Sequence, residues 1–251
     1  MTTVIPTDPV PLAPTGRPMI VYTPHQDDET LWGGIVIAHH VLAGRQVHLV
    51  LGSDGSTSRM RHALNGETDN GWWLSYHYPE REGIPAPLSE QQFAEARDRE
   101  LLQAARQLGV PRDRVHLRVA ERGPSLTVAD AERLILAYEA QHPGAGHWTT
   151  HWTDPDPTHS ALGTALRNLR LAGQITDARW LVRRSQITTV AGAVRYDAGT
   201  YTATATDMAR AAARCYAAWC PPESYAIGAH SVPADVQAVI DGHPNYIVKT
   251  P

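Results

Sequence analysis

The stretch MIVYTPHQDDETLWGG, residues 19–34, constrains the fold more than any other part of this chain. Met19–Thr23 is an unbroken run of strand-forming residues, the pattern of a strand buried on both faces. Over Glu29–Ala43, Leu31, Ile35, Val36, His39 and Leu42 recur at helical spacing, and Gly44 suits the C-cap. Val47–Leu51 is a second apolar run. Strand, helix and strand at this spacing predict a right-handed parallel crossover. Between the first strand and its helix stand His25, Asp27, Asp28 and Glu29. Charge is costly where a buried strand ends, so something there must pair with it.

The rest of the chain continues the alternation. Residues 89–109 form the clearest helix, with Ser89 at the start and Gly109 and Pro111 at the stop. Strands are expected at Val115–Val119, Trp148–His151 and Trp180–Val182, and helices at Thr127–His142 and Thr158–Ala172. Beyond residue 185 the pattern weakens, leaving Asp207–Trp219 and Ala234–Ile240 as helices and Tyr246–Val248 as a last extended piece. Residues 53–88 show no period and read as a long functional loop insertion. Residues 1–18 are rich in proline and read as a surface arm. The expected fold is a single doubly wound α/β domain over 19–251, its sheet mostly parallel, with a C-terminal extension.

Bulk properties narrow the function class. The chain has 251 residues, enough for one α/β domain with a sizeable core. A net charge of −4 gives no general nucleic-acid surface. No apolar stretch approaches the roughly 20 residues needed to span a bilayer. The first residues lack the basic-then-apolar pattern of a signal peptide, so the expectation is a cytoplasmic enzyme with no membrane partner. Cys215 and Cys220 are the two cysteines, too few for a disulfide framework.

The chemistry concentrates where the first strand ends. Asp27 and Asp28 each suit a plain helix cap, and His25 a turn residue. As a cluster they ask for more, because adjacent carboxylates repel and a helix end needs one cap. A histidine three positions before Asp28 can share a cation with it across the turn, and imidazole with carboxylate suits zinc and related ions. Asp27 then faces the bound water. Such a site needs a third protein ligand. His151 and His159 flank HWTDPDPTHSALG, where a second strand runs into an Asp-Pro turn and a helix at the same sheet edge. The plain reading there is an ordinary loop with Asp156 or Thr158 as cap. His39, His40, His142 and His147 read as packing or surface residues.

At these residues the chain resembles a known family. TPHQDDE is similar to the H-P-D-D-E signature of the PIG-L/LmbE-like metal-dependent deacetylases. DPDPTHSALG resembles their second motif, H-x-D-H before a small-residue helix. SDG at 53–55 and RDRELLQAARQLGV at 97–110 fit the family order, so the resemblance spans about residues 19–172, leaving 173–251 to complete sheet and pocket. It implies a Rossmann-like fold and one Zn2+ or another divalent ion per chain. It also implies hydrolysis of an N-acyl group, usually N-acetyl, from an amino sugar or related small molecule such as a natural-product intermediate. His25, Asp28 and His159 become the metal ligands and Asp27 the general base.

Two departures stand out. Gln26 replaces the usual proline. Asp156 stands where the family has the histidine that steadies the oxyanion, and an anion repels an oxyanion. Asp156 is therefore expected to orient an active-site histidine, with His230 the favoured partner and His151 the second. For the substrate, Arg59, Arg61, Asn65, Trp72 and Trp73 of the long loop and Trp152 near His159, with Trp148 beside it, offer indole faces and hydrogen-bonding groups. Two other readings stay open: hydrolysis of an ester or phosphoester by the same site, and a sugar-binding relative that has lost catalysis. The oligomeric state is open.

Overall fold

The run Met19–Thr23 forms strand β1, buried along its whole length. The structure, a computed structural model, describes residues 15–69, 76–85, 87–117 and 123–251. In chain order, β1 is followed by α1 (Asp28–Leu42), β2 (Val47–Leu51), two short helices α2 (Met60–Leu64) and α3 (Pro79–Glu82), then α4 (Glu90–Gln107) and β3 (Val115–His116). Next come α5 (Val128–Gln141), β4 (Gly146–Thr150), α6 (Pro157–Leu171), β5 (Asp177–Leu181), β6 (Val194–Arg195) and α7 (Thr202–Cys215). The chain ends with a hairpin of β7 (Trp219–Cys220) and β8 (Ser224–Tyr225), helices α8 (Ile227–Ser231) and α9 (Pro233–Ile240), and β9 (Tyr246–Val248).

A seven-stranded sheet runs in the order β3-β2-β1-β4-β5-β9-β6. Strands β1 to β5 pair in parallel, and β9 lies antiparallel between β5 and β6. The chain winds outward from β1 to β3, then returns to place β4 on the other side of β1. That reversal opens a crevice beyond the carboxyl ends of β1 and β4, the place where open α/β sheets bind ligands. Both faces are covered. One core joins α1, α4, α7 and α9 to the sheet through Leu31, Val36, Leu101, Ala209 and Val239. The other joins α5 and α6 through Leu134, Ile135, Leu162 and Leu166. Burial on both faces explains why the strands read as continuous apolar runs.

The doubly wound, mostly parallel expectation matches this sheet. Ser89 caps α4 in a reciprocal capping box with Gln92. Helix α7 departs from its expected span Asp207–Trp219, starting at Thr202 and stopping at Cys215. The loop expected over 53–88 contains α2 and α3. Residues 118–119 of the third expected strand, Trp72 and Trp73, and all but the last four residues of the expected arm lie outside the described residues. Cys215 and Cys220 are both free. Among the described residues, no helix is long and apolar enough to cross a membrane.

Candidate active site

The segment between β1 and α1 turns sharply because Asp27 adopts φ 126°, a conformation that side-chain-bearing residues rarely hold. Neighbours pin it there. The backbone N–H of Asp27 donates to Glu29 Oε2 (3.2 Å), and the buried Glu29 carboxylate also accepts from Thr30 Oγ1 (2.6 Å) and Tyr216 OH (2.8 Å). Burial pushes Glu29 up to about 7, against those three donors. Neither Asp27 nor Asp28 caps α1. Asp28 instead accepts from the His25 backbone N–H through Oδ2 (2.9 Å) and from Trp32 Nε1 through Oδ1 (3.0 Å).

His25 Nδ1, Asp28 Oδ2 and His159 Nε2 converge. Their separations are 3.3 Å from His25 to Asp28, 3.1 Å from Asp28 to His159 and 3.1 Å from His25 to His159. A tetrahedral ion with bonds of about 2.0–2.1 Å holds its ligand atoms about 3.4 Å apart, so this triangle has the right size for one. The donor set, two imidazoles and a carboxylate, is that of a catalytic zinc-type centre. The electrostatics agree. Burial alone would lower the His159 imidazole, yet Asp28 and Asp154 raise it to about 10. Burial would raise Asp28, yet His159 and His25 hold it well below the usual carboxylate range. These groups favour positive charge among them, supplied by a proton or by an ion. Among the described residues, theirs is the group that could hold a metal.

Asp27 stands beside the triad but outside it. Burial, and then the Asp28 charge, push its carboxyl well above the usual range, while Arg97 pulls against them. Arg97 Nη2 lies 3.7 Å from Asp27 Oδ2 and donates to the Gln26 carbonyl (2.9 Å), and Nη1 reaches the Gly55 carbonyl (3.5 Å). Gln26 is buried and sends its amide to the Asp54 carbonyl (3.0 Å) and to Asp98 (2.9 Å). The residue in the place of the family's proline thus ties the β1–α1 turn to the β2 loop and to α4.

On the other strand, β4 delivers a loop and α6 its first turn. Asp154 is the acidic residue that reaches His159 from this side, its Oδ2 lying 3.4 Å from His159 Nδ1. The aspartate expected to orient a histidine, Asp156, has a different task. Its Oδ1 accepts from the backbone N–H of Thr158 (2.9 Å) and of His159 (3.2 Å), so it caps α6. The physical reason is position: a carboxylate at a helix N-cap meets two unpaired N–H groups and the positive end of the dipole. Its expected bond to His230 or His151 is not made. His230 Nδ1 pairs with the Ala226 carbonyl (2.7 Å) and packs against His77 and Trp219. His151 Nδ1 pairs with Thr153 Oγ1 (2.8 Å).

The triad opens into a cleft of about 250 Å³, lined also by Asp27, Trp32, Thr57, Arg97, Arg183 and Val232. Among the described residues, those expected to bind substrate do not line this cleft. Asn65 clamps the backbone of Leu88, accepting from its N–H (2.8 Å) and donating to its carbonyl (3.2 Å). Arg61 reaches the same carbonyl and Glu90, and Arg59 is exposed at the start of α2. Trp152 packs edge-on against Trp180 and under the Arg167 guanidinium, and Trp148 is in the core. For Asn65, Trp148 and Trp152 the physical reason is that apolar area and backbone groups near a sheet are readily used in packing. Sequence reasoning did not single out Arg97 and Arg183 as cleft residues, nor Asp154 as the buried partner of His159. For Arg97 the signal was its place in the 97–110 motif, and for Arg183 its place just beyond a parallel strand.

This geometry defines a class: a Rossmann-like α/β enzyme with two histidines and one aspartate, a group that could hold a metal ion, at its topological switch point. The family of GlcNAc-PI de-N-acetylases, PIG-L, matches residues 20–169. The chain belongs to that family, whose described activity is de-N-acetylation, the hydrolysis of an amide. Solved structures share the fold. A deacetylase of the teicoplanin biosynthetic pathway, as a triple mutant, superposes with a TM-score of 0.63 at 14% identity, over 93% of this chain and 98% of that one. The A40926 pseudoaglycone deacetylase gives 0.59 at 15% identity, with the same coverage of 93% and 98%. The 4-carboxy-2-hydroxymuconate hydratase GalB from Pseudomonas putida gives 0.53 at 14% identity, over 94% and 95%. A hydratase on this fold shows that the fold alone does not set the reaction. No curated protein sequence matches the chain significantly.

Proposed function

We propose that the protein is a metal-dependent N-acyl hydrolase that removes an acyl group, in the first instance acetyl, from an amino sugar or a sugar-bearing natural-product intermediate. The observation that carries this reading is the convergence of His25, Asp28 and His159 beside the buried carboxylate of Asp27. His25, Asp28 and His159 would hold a divalent ion, zinc or a related metal. When bound, it supplies a Lewis acid that acidifies water and polarises the amide carbonyl. Asp27 takes a proton from the water as its oxygen adds to the amide carbon. The C–N bond then breaks and Asp27 returns that proton to the leaving nitrogen, giving a free amine and a carboxylic acid. One group serves both transfers, and its strained backbone and Arg97 hold it in place. The structural relatives named as a deacetylase of the teicoplanin biosynthetic pathway and as the A40926 pseudoaglycone deacetylase support a natural-product intermediate as the first substrate to try.

The test combines metal content with amine release from a panel of N-acylated amino sugars. Purified protein should carry about one divalent ion per chain, as three ligands around one point require. His159→Ala should lose most of it. Asp27→Asn should keep the ion while kcat falls about 10²–10⁴-fold and KM changes little. Asp27→Asn protein with full turnover would remove Asp27 as the base. Turnover of esters or phosphoesters without amine release would reassign the bond that is cleaved.

A further inference from the structure

We propose that Arg183 is the group that stabilises the oxyanion in this chain, in the role left open by the aspartate at position 156. The inference rests on the amide-hydrolase reading above. Addition of water to an amide carbon places a full negative charge on the former carbonyl oxygen, and a preorganised donor aimed at that oxygen is a major part of catalysis. Asp156 cannot serve, because it is an anion engaged with the α6 N-terminus. His230 and His151 do not line the cleft, and each turns Nδ1 to a neighbour, the Ala226 carbonyl and the Thr153 hydroxyl.

Among the described residues, Arg97 and Arg183 are the arginines that line the cleft. Arg97 is almost wholly buried, its Nη2 and Nη1 turned to the carbonyls of Gln26 and Gly55. Arg183 differs. It stands just past the carboxyl end of β5, the strand beside β4, so the topology delivers it to the same edge as His159. Its side chain makes no hydrogen bond among the described residues and keeps 24% of its surface exposed within the cleft. Two contacts aim it without saturating it. Its Nη1 lies 3.5 Å from Asp154 Oδ1, and Asp154 Oδ2 is the partner of His159. Its Cζ lies 5.5 Å from the centroid of the Trp32 ring, and Trp32 Nε1 donates to Asp28. The guanidinium is therefore anchored through the neighbours of two of the three converging ligands, with N–H donors to spare. A guanidinium offers five such donors and stays charged, which suits an oxygen that gains charge during the reaction.

The experiment compares wild-type protein with Arg183→Ala and Arg183→Lys, each with its metal content measured. Arg183→Ala should lower kcat about 10²–10³-fold, as removal of one oxyanion donor does, with KM little changed. Binding of a phosphonate analogue of the N-acetyl group, tetrahedral and anionic like the intermediate, should weaken by a similar factor, while affinity for the product amine stays constant. Added guanidinium ion should restore part of the lost rate in Arg183→Ala, and Arg183→Lys should recover part of it without additive. Metal content and melting temperature should not move. Unchanged kcat and phosphonate affinity in Arg183→Ala would overturn the assignment while leaving amide hydrolysis intact. Loss of metal with loss of rate in both variants would also overturn it, making Arg183 a support for Asp154 and His159. A wild-type protein that cleaves no amide would overturn the underlying reading and this inference together.

Discussion

At the scale of single residues, the site depends on carboxylates held in environments that suit none of them alone. Asp27 keeps a strained backbone, Glu29 is buried beneath it, and Asp28 is turned away from its own helix end. Asp154 completes the set from the second strand. Its Oδ2, 3.4 Å from His159 Nδ1, favours the ring orientation with Nε2 facing the triad and would make that nitrogen a stronger ligand for a bound ion. Asp154→Asn should therefore weaken metal affinity about 10–100-fold, the usual cost of losing such a partner, as read by competition with a chelating dye. Unchanged affinity would mean that packing alone orients the His159 ring. The first motif was legible residue by residue because its spacing, His25 to Asp28 across one turn, is local. Asp154 was not, because its partner is chosen by how an Asp-Pro loop folds back on α6.

At the scale of elements, α6 carries His159, the third of the proposed ligands. Its position relies on Gly163, one turn beyond His159. A Cβ there would come within 2.5 Å of the Trp152 backbone nitrogen and 2.7 Å of the Thr150 carbonyl oxygen. Backbone cannot move aside as a side-chain tip can. Gly163→Ala should thus push α6 off β4, costing about 1–3 kcal/mol of stability by overpacking and weakening metal binding with it. Calorimetric unfolding of the variant, with its metal stoichiometry, checks both; a variant that melts like wild type would show that the helix has room. Close approach also explains where the reading of α7 failed. The segment TATATDMARAAARC reads as a helix from Asp207 on, but the alternating TATAT at its start does not look like part of a helix. It is one because Ala205, Ala209, Ala212 and Ala213 let α7 lie against α1, where Gly34 leaves room for Ala209. Tertiary packing overrode a weak local preference.

At the scale of the whole molecule, buried imidazoles tie stability to pH. His40, packed against Trp148 and near Tyr196, is lowered from 6.5 to about 3 by burial first and by Arg45 and His39 next. Its folded value lies below its unfolded one. Its contribution to stability is therefore full above about 6.5 and lost as the pH falls toward about 3. Between pH 7.5 and 5 the wild type should lose about 1–2 kcal/mol more than His40→Gln, measured by denaturant unfolding at each pH. Parallel profiles would show that His40 takes up its proton without penalty. The sequence by itself determined the βα alternation, the parallel crossover at residues 19–51 and the triad His25, Asp28 and His159. Periodicity carries the first two, and the third rests on a local motif together with a second one resembling the family's. What only the tertiary structure decided was which long-range groups face the cleft: Arg97 and Arg183 entered it, while Asn65, Trp148 and Trp152 went to clamps and core. Spacing along the chain fixes neighbours within a turn. Which distant side chain meets a site depends on sheet order and on which backbone groups and apolar faces must be satisfied first, and none of that is periodic in the sequence.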